Sequence, residues 1–210
     1  MRVDARGFLA KKDEELARII DLIERTLGRA GQFSCFGMHE WAMVYRDAEH
    51  RHTVPLRLGQ RGTDEVVDSH KLQCSHFDAF RFFTPAATPK NTEQLTRESQ
   101  AGREQPGCLH ANMDLYKWAL KLGPLIPGEL LLDCFELARE IRIVDMRASP
   151  YDVADWDTPA ITVETSEGKA EYVAHQRSFA ARGNELRRRL IGVYSAARAE
   201  LDEALSSTTR

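Results

Sequence analysis

Thr53 to Gln73 reads T-V-P-L-R-L-G-Q-R-G-T-D-E-V-V-D-S-H-K-L-Q, and how it pairs decides the fold class. Val54, Leu56 and Leu58 alternate with polar neighbours, the period of a half-buried strand. Gln60 to Thr63, with Gly62, supplies a turn, and Glu65 to Gln73 supplies a second strand, so the stretch predicts a hairpin. Pro55 lacks an amide hydrogen, which places the first strand at an edge. Pro159 to Thr165 is a further short strand. The rest of the chain carries helical periods. The expected fold class is therefore α+β, mainly α-helical with a small antiparallel sheet.

Around this hairpin the helices are read from apolar spacing. Leu16, Ile19, Ile20, Ile23 and Leu27 make Asp13 to Leu27 an amphipathic helix, stopped by Gly28; residues 1–12 show no period. Leu109 to Leu122 and about Gly128 to Met146 are helices separated by Gly123-Pro124 and opened again by Pro127. Ala170 to Leu205 is one long helix or two, with residues 206–210 a frayed tail. Cys74 to Thr84 fits either a strand or a short helix capped by Ser75 and Asp78. Residues 84–107 form a long irregular segment of the kind that encloses a ligand.

The chain has 210 residues, 42% hydrophobic and 29% charged, with a net charge of −3. That is the composition of one globular domain, 1–210, with a real core. The negative balance makes the whole chain no electrostatic lure for DNA, although a local basic face remains open. No apolar run approaches the roughly 18–20 residues of a membrane span, and Lys11 to Glu15 interrupts any signal-peptide core. The expected location is cytoplasmic. Cys35, Cys74, Cys108 and Cys134 stand tens of residues apart without a CxxC pair, so thiols rather than a zinc ribbon are expected.

The chemistry-bearing residues gather in three clusters. Glu104 to Lys117, E-Q-P-G-C-L-H-A-N-M-D-L-Y-K, follows a Pro-Gly break with His110 and Asp114 four apart on one helix face. His39 and Glu40 sit in an almost wholly apolar run, Gln32 to Arg46, where a charge needs a partner such as Arg46. His76 and Asp78 form the third. The sequence contains no GxxxxGK[ST], GxGxxG or GxSxG, and His39-Glu40 fails as HExxH because Met43 takes the second histidine's place.

Two chemistries suit these residue types. His39, His76 and His110, with Asp78, Asp114, Asp133 and Glu136, have the side chains that hold zinc or non-haem iron. An N-glycosidic hydrolase instead needs a carboxylate beside an aromatic slot and requires no cofactor. Asp114, Asp78 or Glu40 would supply the carboxylate, His110 and His76 would position water or base, and Arg81 and Arg97 would contact phosphate. His39, Arg46, Asn91, Gln100, Glu104, Asn112, Lys117, Arg147 and Tyr151 are the further substrate contacts. The basic run Arg187–Arg189 is either a solvated face or a phosphate contact. A third reading is a non-catalytic binding module whose polar clusters lie apart or are fully paired.

The blocks C-F-G-M-H-E-W-A-M-V-Y-R (35–46), C-S-H-F-D-A-F-R-F-F-T-P-A-A (74–87), E-Q-P-G-C-L-H-A-N-M-D-L-Y-K-W-A (104–119) and D-M-R-A-S-P-Y-D (145–152) resemble an actinobacterial family whose members usually carry the label 3-methyladenine DNA glycosylase. The resemblance spans about Asp13 to Leu190. It implies release of an alkylated base and a partner that is alkylated DNA, against a small polar ligand under the metal reading. Members look longer at the N-terminus, with further histidine and arginine positions that this chain is expected to lack. Oligomeric state is open.

Overall fold

The computed structural model describes residues 4–47, 49–50, 52–156 and 158–208. Among them the fold is all-helical, with no strand and no sheet. The helices are α1 (Ala5–Leu27), α2 (Met38–Ala42), α3 (Gly59–Ser69), α4 (Phe77–Phe80), α5 (Gln100–Arg103), α6 (Leu109–Leu122), α7 (Gly128–Arg147) and α8 (Ser166–Thr208). The α+β expectation is thus overturned, and the fault lies in the stretch that carried it.

The second strand and the turn of the expected hairpin are helix α3. Thr63, Val66 and Val67 are its buried residues. Their three-and-four spacing fits a helical face, whereas two adjacent buried valines do not alternate. The first strand is an extended segment with one antiparallel bridge, Leu56 to Tyr151. Arg57 pins it, donating to both carboxylate oxygens of Glu164 at 2.7 and 3.0 Å. Pro159 to Thr165 likewise forms no strand. Ile161 and Val163 are buried, and the Ile161 amide donates to the Arg147 carbonyl at 2.8 Å, so this segment closes over the end of α7. Within Cys74 to Thr84 only Phe77–Phe80 is helical, and its cap is His76, whose side chain accepts from the Ala79 amide.

Helix α1 begins at Ala5, ahead of the apolar period first visible at Asp13. Asp4 caps it by accepting from the Gly7 amide at 2.9 Å. Leu9 is buried one heptad before Leu16, so the charged run between them interrupts the stripe without ending the helix. Helices α1, α6, α7 and α8 pack together as the core. Each fully buried Leu or Ile in it stabilises the fold by roughly 1.5–3 kcal/mol. Gly123, with φ of 54°, reverses the chain between α6 and α7; its left-handed backbone favours glycine. Helix α8 is continuous over 43 residues. Residues 206–208 of the expected frayed tail belong to it, while 209–210 and 1–3 lie outside the described residues. No described helix is long and apolar enough to cross a membrane.

Candidate metal centre

Helix α2 is only five residues long, and tertiary contacts hold it in place. Gly37 precedes it with φ of 71°. The Trp41 indole, wholly buried, donates to the Ala148 carbonyl at 2.9 Å. That bond sets α2 against the end of α7 and brings His39 to Asp145, Nε2 to Oδ1 at 3.0 Å. Glu40 follows His39 and meets Arg142 of α7, 3.6 Å from Oε1 to Nη1; Arg142 also lies 3.3 Å from the second oxygen of Asp145.

His110 enters from the first turn of α6, and a buried polar lattice fixes that turn. Arg187 of α8, 1% exposed, donates to Asn112 Oδ1 and to the Ala111 carbonyl, each at 2.9 Å. The Asn112 amide nitrogen donates onward to the carbonyls of Pro106 and Cys108. Gln176 donates to the Gly107 carbonyl at 2.9 Å. Gln105 Oε1 accepts from the amides of Gln32 and Gly107. A Cβ on Gly107 would stand 2.2 Å from the Gln32 carbonyl oxygen, so the glycine of the Pro-Gly turn is there for close backbone approach.

The result is a group of donors from three helices. One ligand atom each of His39, Glu40, His110 and Asp145 lies within 4.8 Å of all the others, and all but His110 are buried. The His110 ring meets that of His39 edge-on at 4.5 Å between centroids and stacks on His76 at 5.3 Å. Neither of its nitrogens has a hydrogen-bond partner among the described residues.

A second cluster lies on the other side of His110. His76 Nε2 stands 3.2 Å from Asp114 Oδ2 and 3.3 Å from Glu104 Oε1. Its Nδ1 accepts from the Ala79 amide at 3.3 Å, so the neutral ring carries its proton on Nε2 and shares it between the two carboxylates. This tautomer makes the cluster a hydrogen-bonded network, with no free ring nitrogen for a cation. Lys117 closes it, 2.5 Å from Asp114 and 3.5 Å from Asp78. Gln100 donates to Glu104 at 2.6 Å, and Arg97 joins Asp78 at 2.6 Å.

The protonation states follow from burial and neighbours. Burial, with the charge of His39 beside it, drives His110 down to about 3, so its imidazole is neutral at physiological pH. Burial opposes charge on His39 too, but the carboxylate of Asp145 outweighs it and raises His39 well above the ordinary histidine value. Asp145 is pushed up by burial and pulled down further by His39, to about 2. Burial raises Glu104. Asp114 feels the same penalty, yet the His76 hydrogen bond and Lys117 bring it below the usual carboxylate range.

The residues singled out from sequence divide into three sets. His39, Glu40, His76, Asp78, Arg97, Gln100, Glu104, His110, Asp114 and Lys117 converge on the two adjoining clusters. Arg81 stands at their edge, 3.5 Å from Asp78. Asn91 and Asn112 are buried scaffold: Asn91 bonds both the amide and the carbonyl of Cys74, holding the 84–107 segment in place. Arg46 pairs with Asp68, Arg147 with Glu171 and the Pro159 carbonyl, and Tyr151 packs in a separate small core with Val44, Met146 and Val153. Asp133 pairs with Arg189, and Glu140 with Arg182, across the α7–α8 seam, so Asp133 is engaged away from the two clusters. The sequence reading missed Asp145 and Arg142. Asp145 has a visible signal: an acidic residue among Val144, Met146 and Ile141 on the buried face of α7 requires a partner.

Comparison with protein-family models, with curated proteins and with solved structures finds no match for this chain.

Proposed function

We propose that this chain is a metal-dependent enzyme acting on a small polar molecule, with one zinc or iron(II) ion held by His39, Glu40, His110 and Asp145. The observation that carries the reading is His110. A neutral imidazole without a hydrogen-bond partner among the described residues sits among a histidine and two carboxylates whose ligand atoms are within 4.8 Å of its own. Bonds of about 2.0–2.1 Å in a tetrahedral site place ligand atoms roughly 3.3 Å apart, so modest side-chain movement closes the set. Two imidazoles and two carboxylates suit zinc or non-haem iron and suit calcium poorly.

In the free protein the proton on His39 supplies the positive charge that Asp145 requires. A divalent ion bound by Asp145 and His39 would take over that role, and His39 would give up its proton to solvent. Bound there, the ion would act as a Lewis acid and lower the pKa of a coordinated water. Next to it, Asp114 is ionised and hydrogen-bonded to His76 at 3.2 Å, an acid–base pair within one ring stack of His110. Metal-assisted hydrolysis is the reaction class these groups fit.

A second reading, hydrolysis of an N-glycosidic bond in alkylated DNA, draws on Asp114, since an ionised, partly buried carboxylate stabilises oxocarbenium character. It is the weaker of the two. Arg81 and Arg97, its phosphate contacts, both engage Asp78.

Elemental analysis of protein purified without chelator tests the choice. One transition-metal ion per chain, lost in His110→Ala, is the expected result. Metal-free protein that takes up neither zinc nor iron(II) on addition, but releases 3-methyladenine from alkylated DNA, would replace the first reading with the second.

A further inference from the structure

The carboxylates of the centre lie deep, and the arginine that pairs with them lies shallow. The Asp145 and Glu40 side chains are 0% and 9% exposed, whereas Arg142, which approaches both, is 47% exposed. The second cluster repeats the order, with Asp114 at 17% and Lys117 at 38%. In each cluster the paired cation is therefore more exposed than the carboxylate it faces.

Arg142 is also loosely held. Its distances of 3.6 Å to Glu40 and 3.3 Å to Asp145 both run through one nitrogen, Nη1. A bidentate arginine–carboxylate pair has two parallel contacts of about 2.7–2.9 Å. The second nitrogen, Nη2, makes no hydrogen bond among the described residues, and the fork geometry that recognises oxyanions is left available.

We propose that Arg142 binds an oxyanionic group of the substrate, a carboxylate or a phosphate, on the solvent side of the metal centre. The proposal rests on the metal reading. In the free protein Arg142 faces Glu40 and Asp145, and His39 faces Asp145. A divalent ion held by these carboxylates would compete with Arg142 for them and leave its charge less well matched. Metal loading therefore switches Arg142 from a structural counter-ion to an anion receptor. Lys117, two turns along α6 from His110, adds to the positive field, although Asp114 holds it closely.

Titration calorimetry of inorganic phosphate into zinc-loaded protein at low salt, with zinc content measured on the same samples, tests this. Wild type binds phosphate, Arg142→Gln weakens binding at least tenfold, and Arg142→Lys recovers part of it. Arg61→Gln, at a solvent-exposed arginine of α3, leaves it unchanged, and zinc stripping weakens it in wild type. A zinc-loaded, folded Arg142→Gln protein that binds phosphate like wild type overturns the receptor role while leaving the metal centre standing. A protein that never retains zinc overturns the metal reading and the receptor with it.

Discussion

The rings of His39 and His110 meet edge to face, with planes 79° apart and centroids 4.5 Å apart, although α2 and α6 are separated by nearly a third of the chain. One of the two is charged through Asp145, and the other is neutral and makes no hydrogen bond among the described residues. Adjacent histidines with opposed proton affinities are the kind of perturbed pair that clusters at functional sites.

Asp145 is the residue on which that arrangement depends. Replacing it by alanine leaves the His39 imidazole buried without its counter-charge. Breaking such a pair typically costs about 3–5 kcal/mol. Asp145→Ala is expected to unfold at correspondingly lower denaturant in chemical denaturation, and the His39 ring, followed by NMR, to titrate at lower pH than in wild type. An unchanged midpoint and titration would remove Asp145 from its assigned role.

The lattice behind His110 makes a separate prediction. Asn112→Ala removes one of the two side-chain acceptors of Arg187 Nη1, leaving Asn184, and removes the donor to the Pro106 and Cys108 carbonyls. Leaving buried polar groups unsatisfied costs roughly 1–3 kcal/mol each. The variant is expected to lose stability and also to hold zinc less tightly, because the first turn of α6 loses its anchor. Arg142→Gln, by contrast, is expected to cost no more than about 1 kcal/mol of stability, because its ion pairs with Glu40 and Asp145 are long and run through a half-exposed side chain.

Acid sensitivity has an identified contributor remote from the centre. Asp68 accepts from Lys90 at 2.7 Å and from the Tyr45 hydroxyl at 2.6 Å, and these bonds lower it from 3.8 to about 2. A depressed carboxylate stabilises the fold fully above its unfolded value and loses that contribution as pH falls through the folded one. Wild type should therefore lose stability between about pH 4 and pH 2, and Asp68→Asn should show a shallower slope across that window when thermal unfolding is followed by circular dichroism.

Much of the helical frame is legible in the sequence because α6, α7 and the later turns of α1 carry unbroken apolar spacing and Gly or Pro punctuation. The hairpin failed because Val54, Leu56 and Leu58 alternate over too few residues to distinguish a strand from an extended segment pinned by Arg57 and Glu164. The short helices α2, α4 and α5 are set by tertiary contacts, as with Trp41 on Ala148, and have no periodic signal of their own. Of the site, the histidines and Glu104 to Lys117 are conspicuous polar residues in apolar surroundings. Asp145 stands out as an acidic residue on an apolar helix face, but its partner, His39, is 106 residues away, and nothing local announces the pairing.

The central claim is that His39, Glu40, His110 and Asp145 share one metal ion, and X-ray absorption spectroscopy of the zinc-loaded protein tests it most directly. The account predicts a first shell of two imidazole nitrogens and carboxylate oxygens at about 2.0–2.2 Å, with one imidazole lost in His110→Ala. A shell containing sulfur, or one unchanged in His110→Ala, would place the metal elsewhere and contradict the account.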